Sequence, residues 1–451
     1  MEPSTADLRR RVTDVLPSVR RDLEALVRIP SVSALPAHAE DVRRSAEATA
    51  DLLLAEGLDV EILTVEGGAP AVVATRPAPD GAPTVLLYAH HDVQPVGDPA
   101  DWDTEPFEPT ERGDRLYGRG AADDKAGIAA HLAALRAYGD ALPVGVTVLV
   151  EGEEEIGSPT LERFLAEHRE RLRADVIVIA DSANWDIGVP ALTTSLRGLI
   201  DCVVEVRTLE HGVHSGMWGG IVPDALTAMA RLLASLHDDA GDVAVDGLLA
   251  TGAADIDYPE DRIRAEAGVA DGVRLFGTGP AVERLWTRPA VAVIGLDATP
   301  VKDASNTLIP AVRAKISVRL APGDTTDNAM AALTRHLEAH APWGAQVTVT
   351  EGDRGEPTRI EAVGPAYDAA RSAFEEAWDG TAPVDMGVGG SIPFIAAFNE
   401  AFPDAAVLVT GVEDPDTRAH GANEGLHLKE FERVCLAETL LLRNLARVTA
   451  G

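Results

Sequence analysis

The sequence predicts an α/β protein, a mostly parallel sheet flanked by helices and interrupted by an inserted α+β unit. Three observations lead there. A chain of 451 residues, 46% hydrophobic and 25% charged, can bury two cores rather than one. Short β-branched and aliphatic runs alternate with stretches of helical periodicity toward both ends of the chain, the pattern of βα units feeding a parallel sheet. Between these blocks the texture shifts to longer strands separated by single helices, as expected of a smaller α+β unit.

The first element is a helix. Leu8, Val12, Val15, Val19, Leu23 and Leu26 recur at spacings of three and four and share one face, with Asp7 or Thr5 as the cap. Residues 71–75, 84–88, 144–150 and 176–180 read as buried strands, and 125–138 and 160–172 as helices. The insert opens with a long strand over 192–207, then a helix over 223–237, an alternating strand over 312–320, a helix over 325–340 and a strand over 346–350. The stretch 238–289 is acidic, rich in Gly and Ala and weakly periodic, so only partial helix is expected. A strand at 405–410 and a helix over 429–448 follow. The division is thus a discontinuous domain of residues 1–189 and 358–451, with residues 190–357 inserted.

Composition removes several function classes. With 39 basic and 73 acidic side chains the formal net charge is −34, which repels phosphate backbones and anionic headgroups, so neither nucleic acid nor a membrane is an expected partner. Cys202 and Cys435 are too few and too distant for a disulfide framework or a thiolate metal site. Any bound metal must therefore use nitrogen and oxygen. No apolar run approaches the roughly 18 residues needed to span a bilayer, and the N-terminal stretch is charged throughout, unlike a secretory signal. A cytoplasmic location is expected.

In open α/β sheets the reactive groups gather at the carboxyl ends of strands. Here the predicted strands run into AHHDVQP, EGEEEIGS, Asp181 and GVEDPDTRAHGANE, and the loop LYGRGAADDKAG adds two more aspartates. Carboxylates collected at one sheet mouth repel one another unless cations sit between them. Two histidines with several carboxylates and no cysteine suit zinc, manganese or cobalt. Three carboxylates and a hydroxide would neutralise two divalent ions, the balance that a partly buried site favours.

Either histidine of AHHDVQP can bind. Alternation along an extended chain puts His90 and Asp92 on one side and His91 on the other, which favours His90 as ligand, Asp92 as the carboxylate orienting its ring, and His91 as packing. GRGAADDKAG is not a nucleotide loop: Asp123 falls where a dinucleotide fingerprint needs its third Gly, and no Gly-Lys-Ser/Thr occurs. Gly118 and Gly120 are expected to let the backbone turn and present Asp123. Of the three consecutive glutamates in EGEEEIGS, one can bind metal while a neighbour stays free as a base.

HxDVQP, GRGxxDDK, the paired Glu before Gly-Ser, the Asp closing a strand about 26 residues later, HSG, GGSIP and a late His occur in order from about Leu26 to Glu424. Together they resemble the dinuclear metallopeptidase family of cytosolic non-specific dipeptidase, carnosinase, glutamate carboxypeptidase, aminoacylase and succinyl-diaminopimelate desuccinylase. The resemblance implies two divalent ions per subunit, zinc first with manganese or cobalt as alternatives. His90, Asp123 and Asp181 would hold one, and Asp123, Glu155 and His420 the other. It assigns Glu154 as general base toward a metal-bridged water and Asp92 as the residue that orients His90. It makes the insert a lid and dimerisation domain, in which His214 reaches a neighbouring subunit's site to polarise the scissile carbonyl, and so implies a homodimer. Arg319 matches a substrate-carboxylate ligand, and Asn306, Gly390 and Ser391 match further substrate-binding positions.

Two departures stand out. Gly387 and Val388 occupy the place of an Arg-Glu pair common before GGSIP in dipeptidase relatives, and Ala89 and Ala126 stand where Gly is frequent. Asp at position 181, VQP after Asp92 and GRGxxDDK resemble the dipeptidase and carnosinase branch. The expected activity is hydrolysis of the amide bond of dipeptides or short peptides with a free carboxylate. The alternative is an amidohydrolase or deacylase acting on N-acyl or N-carbamoyl amino acids.

Overall fold

The computed structural model describes residues 3–252, 256–389 and 393–448. The chain divides into two compact units, one of Met1–Thr194, Ile360–Met386 and Pro393–Gly451, the other of Ser195–Arg359 with Gly387–Ile392.

The first unit is built on an α/β sheet. Strand Thr84–His90 lies parallel to Gly145–Glu151 on one side and to Val176–Ile179 on the other, and Val176–Ile179 also pairs in parallel with Ala406–Val409. The flanks are antiparallel, with Ala71–Arg76 against Gly145–Glu151, Asp59–Leu63 beyond it, and Val409 against Thr193 on the far side. The central strands are near-continuous aliphatic runs because both their faces are buried. Helix Lys125–Tyr138 is apolar almost all round and buries every residue but Arg136. It shares one core with Leu8, Val12 and Leu23 of helix Thr5–Val27 and Leu436, Leu440 and Leu441 of helix Leu428–Leu445.

Several expectations shift in detail. The first helix is capped by Ser4, not by Asp7 or Thr5; Ser4 Oγ accepts from the Asp7 amide while the Asp7 carboxylate returns to the Ser4 backbone, a reciprocal capping box. The helix expected over 160–172 is two short ones, Leu161–Glu167 and Arg169–Leu172, broken at His168. Helices Ala39–Ala55 and Pro365–Ala377 complete this unit.

The second unit carries a four-stranded antiparallel sheet in the order Ala290–Asp297, Ala311–Leu320, Gly198–Arg207, Gln346–Gly355. The strand expected over 192–207 is broken at Arg197 into Ala191–Leu196 and Gly198–Arg207. One face of the sheet, with Cys202, Val204, Ile316 and Val318, is covered by Met229 and Leu232 of helix Ala225–Ala234 and Met330 and Leu333 of helix Thr326–Ala339. Within 238–289 the described residues form two short helices, Glu260–Glu266 and Ala281–Trp286. No described helix is long and apolar enough to cross a membrane.

Candidate metal centre and active site

Each candidate ligand in the first unit sits where an element ends. His90 is the last residue of strand Thr84–His90, Asp181 lies two residues beyond strand Val176–Ile179, and Glu154 and Glu155 open a 3₁₀ turn after strand Gly145–Glu151. Asp123 precedes helix Lys125–Tyr138 and follows Gly120, whose φ of 80° only glycine adopts at low cost. Gly118 has no such conformation; a Cβ there would meet Val27 Cγ1 at 2.9 Å, so close packing rather than a turn explains it. Ala89 and Ala126 have negative φ and fit without strain. The Asp123–Asp124 peptide bond is cis. His420 stands in a loop with Arg418 and Asn423 in which all three hold positive φ, at 58°, 61° and 61° for Arg418, His420 and Asn423. Such conformations cost about 1 kcal/mol or more per residue and concentrate at functional sites.

These side chains meet. His90 Nε2 is 3.2 Å from Asp123 Oδ1 and 3.9 Å from Asp181 Oδ2, and His420 Nε2 is 3.0 Å from Asp123 Oδ2 and 3.3 Å from Glu155 Oε2. His90, Asp123 and Asp181 form one group whose ligand atoms lie within 4.8 Å of one another, and Asp123, Glu155 and His420 form another. Asp123 belongs to both, one oxygen facing each. Glu154 Oε2 is 3.9 Å from His90 Nε2 and belongs to neither group.

Two imidazoles and three carboxylates with no sulfur match the donor set of borderline and hard divalent cations. Electrostatics favour the same conclusion. Burial, reinforced by the Asp181 charge, pushes Glu154 well above the usual carboxylate range, and burial pushes Asp181 up to about 7 although His90 opposes it. Burial would raise Asp123 too, but hydrogen bonds to His420 and His90 hold it well below normal. More negative charge is packed here than the two histidines neutralise, and divalent cations between the groups would relieve it.

The surrounding shell is built largely from backbone. Asp92 is fully buried; its two carboxylate oxygens accept from the amides of Glu154 and Glu155 at 3.2 and 3.1 Å, fixing the turn that carries both glutamates. His90 Nδ1 lies 3.1 Å from the Asp92 carbonyl and 3.5 Å from its Oδ1, so the main-chain oxygen is the nearer partner of the ring. Glu153, the first of the three consecutive glutamates, is tied elsewhere, accepting from the Thr160 and Ala69 amides. His91 is buried against the Pro70 carbonyl at 2.9 Å, and burial lowers it to about 4, so it stays neutral packing.

Three contributors escaped sequence reasoning. Glu424, fully buried, accepts from the amides of Gly120, Ala122 and Asp123 and from the Arg119 guanidinium, so it clamps the loop that presents Asp123. Gln94 donates its amide to Glu155 Oε2 at 2.7 Å and its backbone N–H to Glu155 Oε1 at 3.0 Å. Lys125, also fully buried, donates from Nζ to the carbonyls of Leu26 and Ile29 at 2.8 and 2.7 Å, anchoring the end of the first helix. All three lie within or beside the motifs quoted above, yet Glu424 and Lys125 act mainly on main-chain atoms and Gln94 on a carboxylate some 60 positions away, partnerships that no residue pattern discloses.

His214, Asn306 and Arg319 belong to the second unit. There His214, exposed, pairs with Thr307 across a two-residue ladder, and the Ser215 amide donates to the Asn306 carbonyl at 2.9 Å, so His214 and Asn306 are neighbours. Arg319 stands on strand Ala311–Leu320 opposite Leu199 and Ala290. Gly390 and Ser391 lie outside the described residues.

Comparisons with known proteins bear on the family and fold of the chain. The profile of Peptidase family M20/M25/M40 matches residues 86–444. Cysteinylglycine-S-conjugate dipeptidase of Corynebacterium striatum is 36% identical over 428 residues, 94% of each chain, and Beta-Ala-His dipeptidase of Homo sapiens is 28% identical over 434 residues, 88% of this chain and 83% of the relative. Human carnosine dipeptidase 1 superposes with a TM-score of 0.82 at 25% identity, covering 99% of this chain and 100% of that one. Dug1p from Saccharomyces cerevisiae, at 22% identity, shares the fold with a TM-score of 0.80 over 99% of both chains. Motifs, fold and geometry converge, and the chain belongs to peptidase family M20/M25/M40.

Proposed function

We propose that the protein is a dipeptidase that holds two divalent metal ions and hydrolyses the amide bond of dipeptides carrying a free carboxylate. One observation carries the reading: two ligand groups share Asp123, and a half-buried carboxylate outside both groups, Glu154, stands beside them. His90 and Asp181 would complete one ion's shell and Glu155 and His420 the other's, with zinc favoured by the histidine–carboxylate set. When bound, such ions polarise the carbonyl and lower the pKa of water toward about 7.

The chain's own groups supply the rest. Glu154 accepts the proton of the attacking water at its carboxylate and returns it to the departing amine nitrogen. Asp92 positions Glu154 through its amide and borders the His90 ring. His214 is assigned to polarise the substrate carbonyl, and Arg319 with Asn306, Gly390 and Ser391 to bind the substrate; these roles rest on the motif resemblance. The names of the relatives, which act on cysteinylglycine S-conjugates and on β-alanyl-histidine, support a dipeptide substrate over an N-acyl amino acid. A homodimer through the insert is supported by its edge strand Ala290–Asp297, whose Val293, Ile294 and Leu296 are exposed. The two cysteines are free and buried, compatible with the reducing cytoplasm proposed as its location.

The test is Glu154→Gln. Turnover of Cys-Gly and β-alanyl-histidine should fall by about 10²–10⁴-fold, while metal content and thermal midpoint stay at wild-type values. Retained turnover refutes the assignment of Glu154, and hydrolysis confined to N-acyl amino acids in the wild type selects the amidohydrolase instead.

A further inference from the structure

The second unit holds a cavity of about 560 Å³ that none of the assigned residues lines. Its walls are mainly apolar, with Val245, Leu248, Leu275, Phe276 and Val291 among them. Ligand sites have this character, an apolar lining of a few hundred Å³ with a small number of placed polar groups.

The polar groups here are mostly cationic. Arg197 is buried, 7% exposed, and donates only to main-chain oxygens, those of Gly389 and Arg284. No carboxylate among the described residues pairs with it; burial lowers its guanidinium to about 10, and the like charge of Arg319 adds to that. Arg284 also lines the cavity, donates one Nη to the Phe276 carbonyl, and leaves its Nε buried without a partner. His237, edge-on to Phe276, has a buried Nε2 without a partner as well. Arg288 is paired with Glu283. The one acid among the described lining residues, Asp242, spends its two oxygens on the Thr278 amide and hydroxyl.

A buried guanidinium with no counter-ion among the described residues is costly to bury, and its planar fork matches a carboxylate. An excess of positive charge inside an apolar cavity is also out of keeping with a chain of net charge −34. We propose that this cavity, lined by residues of the second unit alone, is a binding site for a small organic carboxylate with an apolar tail, the acid paired with Arg197 and the tail against Leu248 and Phe276. The proposal does not depend on the hydrolase reading, since it concerns binding within the insert.

The probe is octanoate, titrated calorimetrically into the full chain after metal removal with chelator, so that binding at the cation ligands is not scored. The expected result is saturable binding with one site per chain, weakened about tenfold or more by Arg197→Met, and abolished by Leu248→Trp, which fills the cavity without altering charge. Octylamine should not bind. Absence of saturation, equal affinity in Arg197→Met, undiminished binding in Leu248→Trp, or equal binding of octylamine overturns the proposal. Should Arg197→Met fail to fold, the Leu248→Trp and octylamine arms still decide it.

Discussion

The two units solve opposite problems with the same kinds of residue. In the first, three buried groups near the candidate ligands are held mainly by main-chain atoms: Asp92 by two amides, Glu424 by three, Lys125 by two carbonyls. In the second, the predicted functional residues His214 and Asn306 stand exposed on short ladders and turns, and the sheet ends in an edge strand with exposed aliphatics. The first unit is a preorganised site whose cost of burying charge is met by directed hydrogen bonds. The second leaves those residues and an aliphatic edge exposed, as the proposed dimer would require. The difference teaches where substitutions should act: in the first unit on geometry and stability, in the second, on the proposed reading, on association.

The sharpest way to break this contrast is Glu424→Gln. An amide in place of the carboxylate cannot accept from four donors equally, so the Asp123 loop loses its clamp. Supports of this kind are worth about 10–100-fold in metal affinity or activity. We expect kcat to fall in that range with weaker metal retention on dialysis and little change in KM; unchanged metal retention and kcat would reduce Glu424 to an ordinary buried acid. Next, Ile294→Asp on the exposed edge strand should convert a dimer to monomers in sedimentation without lowering the thermal midpoint, and a dimer that survives would place the interface elsewhere. Lys125→Met removes two charge-assisted hydrogen bonds from the Leu26 and Ile29 carbonyls, which keep only the amides of Ile29 and Ser31, and should cost about 2 kcal/mol in urea denaturation, leaving the metal stoichiometry intact.

The smallest effect expected is a pH dependence. His131 is buried with Nδ1 2.9 Å from Glu438 Oε1; burial pulls its pKa down, but the Glu438 charge and hydrogen bond outweigh this and raise it above the normal value. A raised folded-state pKa adds stability that is fully present below the unfolded value near 6.5 and is lost as pH rises through the folded one. The urea midpoint should therefore decline more steeply above pH 6.5 in the wild type than in His131→Asn, where this linkage is gone. Parallel profiles would contradict it.

Legibility in the sequence divides along the same line. Helix Lys125–Tyr138 and the strand ends carrying His90, Glu155 and Asp181 were readable because burial writes itself as aliphatic periodicity and the polar residues after it stand out. The break at Arg197 was not, since an uninterrupted β-rich composition runs through it. Nor was the role of Glu424, which depends on amide groups common to nearly every residue, or that of Gln94, whose carboxylate partner Glu155 is distant in sequence. Which of three consecutive glutamates would be structural was likewise undecidable from composition; the Thr160 and Ala69 amides select Glu153.

The Glu424 clamp also bears on biosynthesis. It joins Gly120–Asp123 to a residue some 300 positions later, and strand Ala406–Val409 enters the sheet beside Val176–Ile179, synthesised long before. A nascent chain that has already made His90, Asp123, Glu155 and Asp181 still has an open sheet edge and an unsupported loop. The second candidate ligand group is therefore incomplete until His420 has been made, so a product of interrupted translation would lack the full set of side chains proposed to hold the cations.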